Sequence, residues 1–215
     1  PSTSSAASDV YKRQHMFFAE REVAKIPDVP RDTATQEITS AAVIGCGTMG
    51  GGIAMCFLNV GIPVTSLEMN QEALDRGIGV IKRNYDIQVQ RGRMTAEQVD
   101  QRMALLTGTT DFADLGQADV IIEAIYENID VKVETFGKMD AVAKPGAILA
   151  SNTSALDIDK MAEATKRPDS VIGLHFFSPA NVMRLLEIVR GAKTSNETIA
   201  SSMKLGRTLN KIAVL

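Results

Sequence analysis

Val43-Ile44-Gly45-Cys46-Gly47-Thr48-Met49-Gly50 decides the fold of this chain, because it sets glycines in a G-x-G-x-x-G spacing between an apolar run and a helical period. Gly45 permits the tight turn out of the strand. Gly47 lets the backbone approach a pyrophosphate with no Cβ in the way, and Gly50 lets the helix pack closely on the strand. Phosphates then meet the N-terminus of that helix, where unpaired N–H groups and the helix dipole favour negative charge. A glycine triplet alone also marks ordinary strand-to-helix turns. Context adds a second apolar run over residues 63–67 that ends at Glu68, roughly 20 residues on, where a carboxylate accepts the adenosine ribose hydroxyls. Glu68 would repel a 2′-phosphate, and Met69-Asn70 brings no arginine to neutralise one, so NAD is favoured over NADP. The alternative for Glu68 is a solvated acid at a strand end. FAD enzymes and nucleotide-dependent methyltransferases share this loop-and-acid arrangement, so residues further along must discriminate.

Outward from the glycine loop, apolar strands alternate with helical periods from residue 39 onward, which predicts an α/β fold: a Rossmann-type, doubly wound, mostly parallel sheet with helices on both faces. Strand candidates lie at residues 41–44, 64–67, 120–124, 147–150 and 171–174, short runs without an exposed face, as buried parallel strands require. Helices are expected over 50–59, 71–91, 95–105 and 130–142, with Thr95-Ala96-Glu97-Gln98 supplying the third with a cap. Before this unit, residues 1–15 are rich in Ser, Thr and Ala without apolar period and read as a disordered or non-native tail. Residues 16–39 read as a linker with a short helical piece at 17–22 and an extended stretch around Pro27 and Pro30. The expected domain is therefore 40–215.

Composition narrows the function classes. The 215 residues carry 23 Lys and Arg against 26 Asp and Glu, a net charge of −3 that offers no general field for nucleic acid or an anionic membrane. No apolar run approaches the roughly 20 residues needed to span a bilayer. Cys46 and Cys56 sit in the loop and the helix after it, too far apart to bond, which fits a reducing, intracellular compartment. A bacterial-type cytoplasmic location is expected, with mitochondrial and peroxisomal locations left open.

His175 follows Val171-Ile172-Gly173-Leu174 and so emerges at the carboxyl end of a strand, the edge where open α/β sheets bind ligands. Imidazole suits proton transfer near neutral pH, but position alone leaves a structural and a catalytic histidine equally open. Glu187, inside the apolar run Leu185-Leu186-Glu187-Ile188-Val189, needs a partner, and residues 176–180 can reverse the chain to bring it beside His175. Ser151-Asn152-Thr153-Ser154 emerges at the same edge and reads either as substrate-binding hydroxyls or as an ordinary helix cap. Residues Glu127 to Lys132 carry the same ambiguity between capping and contacts to the nicotinamide ribose.

Taken together, Gly45-x-Gly47-Thr48-Met49-Gly50, Glu123-Ala124-Ile125-Tyr126-Glu127-Asn128, Ser151-Asn152-Thr153-Ser154 and His175-Phe176-Phe177-Ser178-Pro179 resemble the 3-hydroxyacyl-CoA dehydrogenase family in order and spacing, over about residues 40–215. The resemblance implies an NAD-dependent enzyme that oxidises (S)-3-hydroxyacyl-CoA to 3-oxoacyl-CoA in fatty-acid β-oxidation. It makes His175 the base, Glu187 the residue that orients it, and Ser154 a hydrogen-bond partner of the substrate oxygen. Thr48, Met49, Glu68, Ile125, Tyr126, Glu127, Lys132, Ser154 and Ser178 fall where the family meets NAD, although the family often has asparagine at the position of Ser178. It further implies a C-terminal helical domain, absent here, that brings a further catalytic asparagine, closes the acyl-CoA site and often forms a dimer. Residues 17–27 resemble the connector after the enoyl-CoA hydratase domain of multifunctional β-oxidation enzymes, which implies a fragment of such an enzyme, while the C-terminal domain implies a homodimer or larger β-oxidation complex. The alternative within the same resemblance is a noncatalytic, crystallin-like relative that kept the fold; an intact His175 and Glu187 argue against it.

Overall fold

A computed structural model describes Tyr11, Gln14 and residues 26–215; the expected tail, those two residues apart, and the helical piece at 17–22 lie outside the described residues. Eight strands form one sheet: β1 (Ala41–Ile44), β2 (Val64–Leu67), β3 (Leu106–Thr109), β4 (Val120–Glu123), β5 (Ile148–Ser151), β6 (Val171–Phe176), β7 (Leu185–Arg190) and β8 (Ile212–Val214). Their order, β3-β2-β1-β4-β5-β6-β7-β8, puts β1 in the interior, third from one edge, with the chain running outward to that edge and then crossing to the other side. Every pairing is parallel except β6 with β7. The reversal of strand order between β1 and β4 opens a crevice above their carboxyl ends, the place where doubly wound sheets take a dinucleotide.

Side chains of each strand alternate between two cores. Val43, Val64, Val120, Ile122 and Ile172 pack on one face with helices α1 (Thr48–Leu58), α2 (Gln71–Gln90), α3 (Ala96–Met103) and, after α4 (Ile129–Val142) has crossed the opposite face, α6 (Asn196–Thr208). Ala42, Ile44, Ile121 and Leu149 pack on the other, against Phe136 and Met139 of α4 and Met161 of α5 (Ile158–Glu163). Both faces being covered, the central strands β1, β4 and β5 are buried throughout, which is why they read as largely apolar runs.

The expected strands and helices appear within a few residues of their predicted ends. Thr95 and Gln98 form the anticipated reciprocal cap of α3. Some elements had escaped the pattern, β3 and α6 among them. β3 is the sheet edge, and its Leu-Thr-Gly-Thr carries no apolar run because most of it is open to solvent. α6 is rich in Ser and Thr, poor helix formers, and is held by burial of Ile199, Met203 and Leu205 rather than by propensity. The described part of the connector also packs down: Val29 and Ile38 join the core, Asp28 pairs with Arg190, and the Gln36 N–H donates to Ser201 Oγ at 3.0 Å. Among the described residues, no helix is long and apolar enough to cross a membrane.

Candidate functional site

The site begins where β1 ends. Gly45 takes φ +94°, a left-handed conformation that a side chain disfavours, and a Cβ there would meet the Ala124 carbonyl oxygen at 2.9 Å. At Gly50 a Cβ would fall 1.7 Å from the Gly45 carbonyl oxygen, so α1 can start this close to β1 only with glycine at that position. Gly47 differs: a Cβ added there would have nothing within 4 Å, and the residue sits exposed at the crest of the loop. No side chain caps α1 and its first turn holds no acid, leaving its positive end available to an anion. A dinucleotide pyrophosphate fits this cradle, since of the three loop glycines the one that the protein's own packing does not demand is the one facing open space.

Glu68, directly after β2, turns toward the loop. Its Oε1 accepts the Cys46 N–H at 2.7 Å and its Oε2 accepts the Met69 N–H at 3.1 Å, leaving lone pairs free for ribose hydroxyls. A cavity of about 530 Å³ opens beside it, lined by Gly47, Thr48, Glu68, Gly52, Pro179 and Asn181. The cavity thus joins the glycine loop to the loop between β6 and β7. Thr48 is exposed, Met49 is half-buried against the core, and Ile125 lies 3.6 Å from the Gly45 Cβ position, over the turn.

His175 and Glu187 are direct cross-strand partners in the antiparallel pair β6–β7. Imidazole Nδ1 and carboxylate Oε2 lie 2.8 Å apart. With Nδ1–H donating to the carboxylate, Nε2 is left as the basic nitrogen. The expected reason for this pairing needs correcting. Glu187 is not an acid sealed in an apolar strand: Leu186 and Ile188 are buried, but the Glu187 side chain is 46% exposed. Strand alternation places it on the open face, and register, not desolvation, brings it to His175. The Phe177 ring stands 4.5 Å from the imidazole, and the Asn152 side chain accepts the Phe176 N–H at 2.9 Å, tying the strand of the histidine to the end of β5. Ser178 is exposed at the start of the turn after β6.

The ends of β4 and β5 are joined by a charge network. Lys132, 1% exposed, donates to both oxygens of Glu123 at 2.9 and 2.7 Å and lies 3.3 Å from Glu127. Its ammonium therefore bridges the buried Glu123 and the half-exposed Glu127. Glu123 is fully buried and also accepts the Ser151 hydroxyl and, at 3.3 Å, the Ile125 N–H. Burial raises its carboxyl above the ordinary range, against the pull of Lys132 and Ser151. Glu127 accepts the Thr153 hydroxyl and the Ser154 N–H. Partial burial would raise Glu127, but those hydrogen bonds and the Lys132 charge outweigh it and hold its carboxyl below the usual value.

The caps in the two ambiguous segments are visible directly. Asp157, not the Ser151–Ser154 stretch, caps α5, and Asn128 caps α4 by accepting from Asp130 and Val131. Ser154 is exposed at the edge, whereas Ser151 turns inward to Glu123. Tyr126 is 80% exposed beside them. Glu123 is the residue that sequence reading passed over. The signal was present: Val120-Ile121-Ile122-Glu123 places an acid in an apolar run as conspicuously as Glu187 does, with Lys132 available nearby.

Comparison with known proteins agrees with this geometry. The model of the family described as 3-hydroxyacyl-CoA dehydrogenase, NAD binding domain, matches residues 40–215. The peroxisomal fatty acid beta-oxidation multifunctional protein MFP2 of Arabidopsis thaliana is 40% identical over 202 residues, which cover 94% of this chain and 28% of that protein. The peroxisomal bifunctional enzyme of Danio rerio is 40% identical over 209 residues, with the same coverage of 94% and 28%. The chain thus spans little more than a quarter of these relatives. Among solved structures, (S)-3-hydroxybutyryl-CoA dehydrogenase PaaH1 from Ralstonia eutropha superposes with a TM-score of 0.81 at 35% identity, covering 83% of this chain and 63% of that one. Because the match begins at the residue before β1 and takes in every strand of the sheet, this chain belongs to the 3-hydroxyacyl-CoA dehydrogenase family and is built as its NAD-binding domain.

Proposed function

We propose that the chain is the dinucleotide-binding part of an oxidoreductase that converts (S)-3-hydroxyacyl-CoA to 3-oxoacyl-CoA with NAD. The observation that carries this reading is the His175–Glu187 pair at 2.8 Å on the same sheet edge as the glycine loop. Adenosine would lie over β2, with Glu68 on its ribose, and the pyrophosphate over Gly47 and Thr48. The nicotinamide half would then lie across the switch point, over the ends of β4 and β5, near Ile125, Tyr126, Glu127, Ser154 and Ser178. Bound NAD would supply the hydride acceptor. His175 Nε2 takes the hydroxyl proton of the substrate, and the Glu187 carboxylate fixes the ring orientation and stabilises the imidazolium that results. Ser154 donates its hydroxyl to the substrate oxygen. Phe177 shields one side of the imidazole from water.

The relatives' names, multifunctional and bifunctional β-oxidation proteins, support a place in a larger assembly acting on fatty acyl-CoA. Peroxisomal proteins among them widen the expected location beyond the cytoplasm, while two buried, unpaired cysteines fit any reducing compartment. The test is NADH consumption with acetoacetyl-CoA by the full-length gene product. Turnover that disappears in His175→Ala is expected; undiminished turnover in that variant overturns the catalytic assignment, and NADH binding without acyl-CoA binding would favour the noncatalytic relative.

A further inference from the structure

We infer that Glu123 is a positioning residue for the nicotinamide half of the dinucleotide, acting through Lys132 and Ser151 on Glu127 and Ser154. This rests on the NAD reading above. A buried ion pair is expensive to assemble, and a well-packed apolar pair commonly does as well or better for stability. Glu123 and Lys132, at 0% and 1% exposure, bear that cost at the centre of the site. Their contacts are distributed in a way no apolar pair reproduces. Glu123 takes a donor from each of the segments that emerge here: Lys132 from the first turns of α4, the Ser151 hydroxyl from the end of β5, and the Ile125 N–H from the strand-end loop of β4.

From there the network passes outward. Lys132 holds Glu127 at 3.3 Å, and the Glu127 side chain is substantially exposed, 43%. Glu127 in turn takes the Thr153 hydroxyl and the Ser154 N–H, while the Ser151 hydroxyl accepts the Thr153 N–H at 3.0 Å. Two loops that would otherwise be independent are therefore fixed relative to each other by one buried carboxylate. Lys132 contributes by orienting Glu127. Glu68 and the glycine loop are not part of this network, so the two halves of the dinucleotide depend on different supports.

That separation supplies the test. ADP carries the adenosine and pyrophosphate but no nicotinamide ribose, so it reports the Glu68 half alone. In calorimetric titrations of the whole chain, Glu123→Gln is expected to raise the NADH dissociation constant about tenfold, equivalent to about 1.4 kcal/mol, and to leave ADP affinity unchanged. Ser151→Ala, which removes one donor and keeps the ion pair, is expected to give a smaller shift in the same direction and keeps the proposal testable if Glu123→Gln does not fold. Equal weakening of NADH and ADP, or no change in either, in whichever of the two variants folds would overturn the positioning role. If the unaltered chain bound neither ligand, the NAD reading would fail and this proposal with it; binding of both by the unaltered chain, with variants that do not distinguish them, would sink the proposal alone.

Discussion

Alanine introduced at Gly47 and at Gly50, three residues apart in one loop, should produce opposite defects. At Gly50 the new methyl would stand 1.7 Å from the Gly45 carbonyl oxygen, roughly 1.5 Å short of an ordinary carbon–oxygen contact. The obstructing atom is backbone, so the only relief is for α1 to retreat from β1. Overpacking of this kind costs about 1–3 kcal/mol, and a rigid partner puts Gly50→Ala at the upper end. For a domain of this size each kcal/mol moves the melting temperature by about 2–4 °C, which predicts a fall of about 6–12 °C. Gly47 has φ −69°, open to any L-residue, and nothing within 4 Å of an added Cβ. Gly47→Ala should therefore melt within a few degrees of the parent, even slightly higher, because alanine restricts the unfolded chain. Its methyl would enter the space assigned to the pyrophosphate and weaken NADH binding at least ~10-fold. Thermal unfolding by circular dichroism and NADH fluorescence titration measure the two effects. Unchanged NADH affinity in Gly47→Ala would refute the placement of the pyrophosphate, and an unshifted melting temperature in Gly50→Ala would refute the packing argument.

Two other predictions concern acids. Asp119 accepts the N–H groups of Thr39 and Ser40 at 2.7 and 3.0 Å and meets Lys144 at 2.7 Å. Partial burial would raise it, but Lys144 and Thr39 bring its pKa from 3.8 down to about 2. That displacement is worth at most about 2.5 kcal/mol, which solvent around the partly exposed Lys144 reduces to about 1 kcal/mol. Because the folded-state value is the lower one, this stability is present above pH ~4 and lost as pH falls through about 2. Urea unfolding should accordingly show Asp119→Asn weaker than the parent at pH 7 with the gap closing toward pH 2; a gap that persists at low pH contradicts the linkage. Glu187→Gln keeps a hydrogen bond to the imidazole and removes the charge that stabilises imidazolium. In the full-length gene product its kcat should fall, within the ~10²–10⁴-fold that positioned proton transfer contributes, with NADH affinity unchanged. A drop in NADH affinity of the same size as the drop in kcat would place Glu187 in binding rather than in proton transfer.

The parts of the fold that sequence reading recovered are those whose physics is local. The glycine spacing around Gly45 and Gly50 encodes a backbone approach that only glycine permits, and buried parallel strands such as Val120-Ile121-Ile122 need no polar face. β3 and α6 were missed for a shared reason: each is stabilised by neighbours distant in sequence and has little intrinsic pattern of its own. At the site, His175 and Glu187 were paired correctly for an incomplete reason, since cross-strand register and not burial makes the contact. Glu123 shows the converse. Its partners Lys132, Ser151 and Ile125 converge only when β4, β5 and α4 pack together, so its role is visible in three dimensions although the acid itself stood in plain view in an apolar run.

The central claim, that this chain holds NAD by the glycine loop and Glu68, is tested most directly by calorimetric titration of the chain with NADH and with NADPH. The carboxylate of Glu68, held on the Cys46 N–H at 2.7 Å, predicts saturable NADH binding, NADPH binding at least ~10-fold weaker, and loss of that preference in Glu68→Ala. NADPH binding as tight as NADH, or a preference that survives in Glu68→Ala, would contradict it.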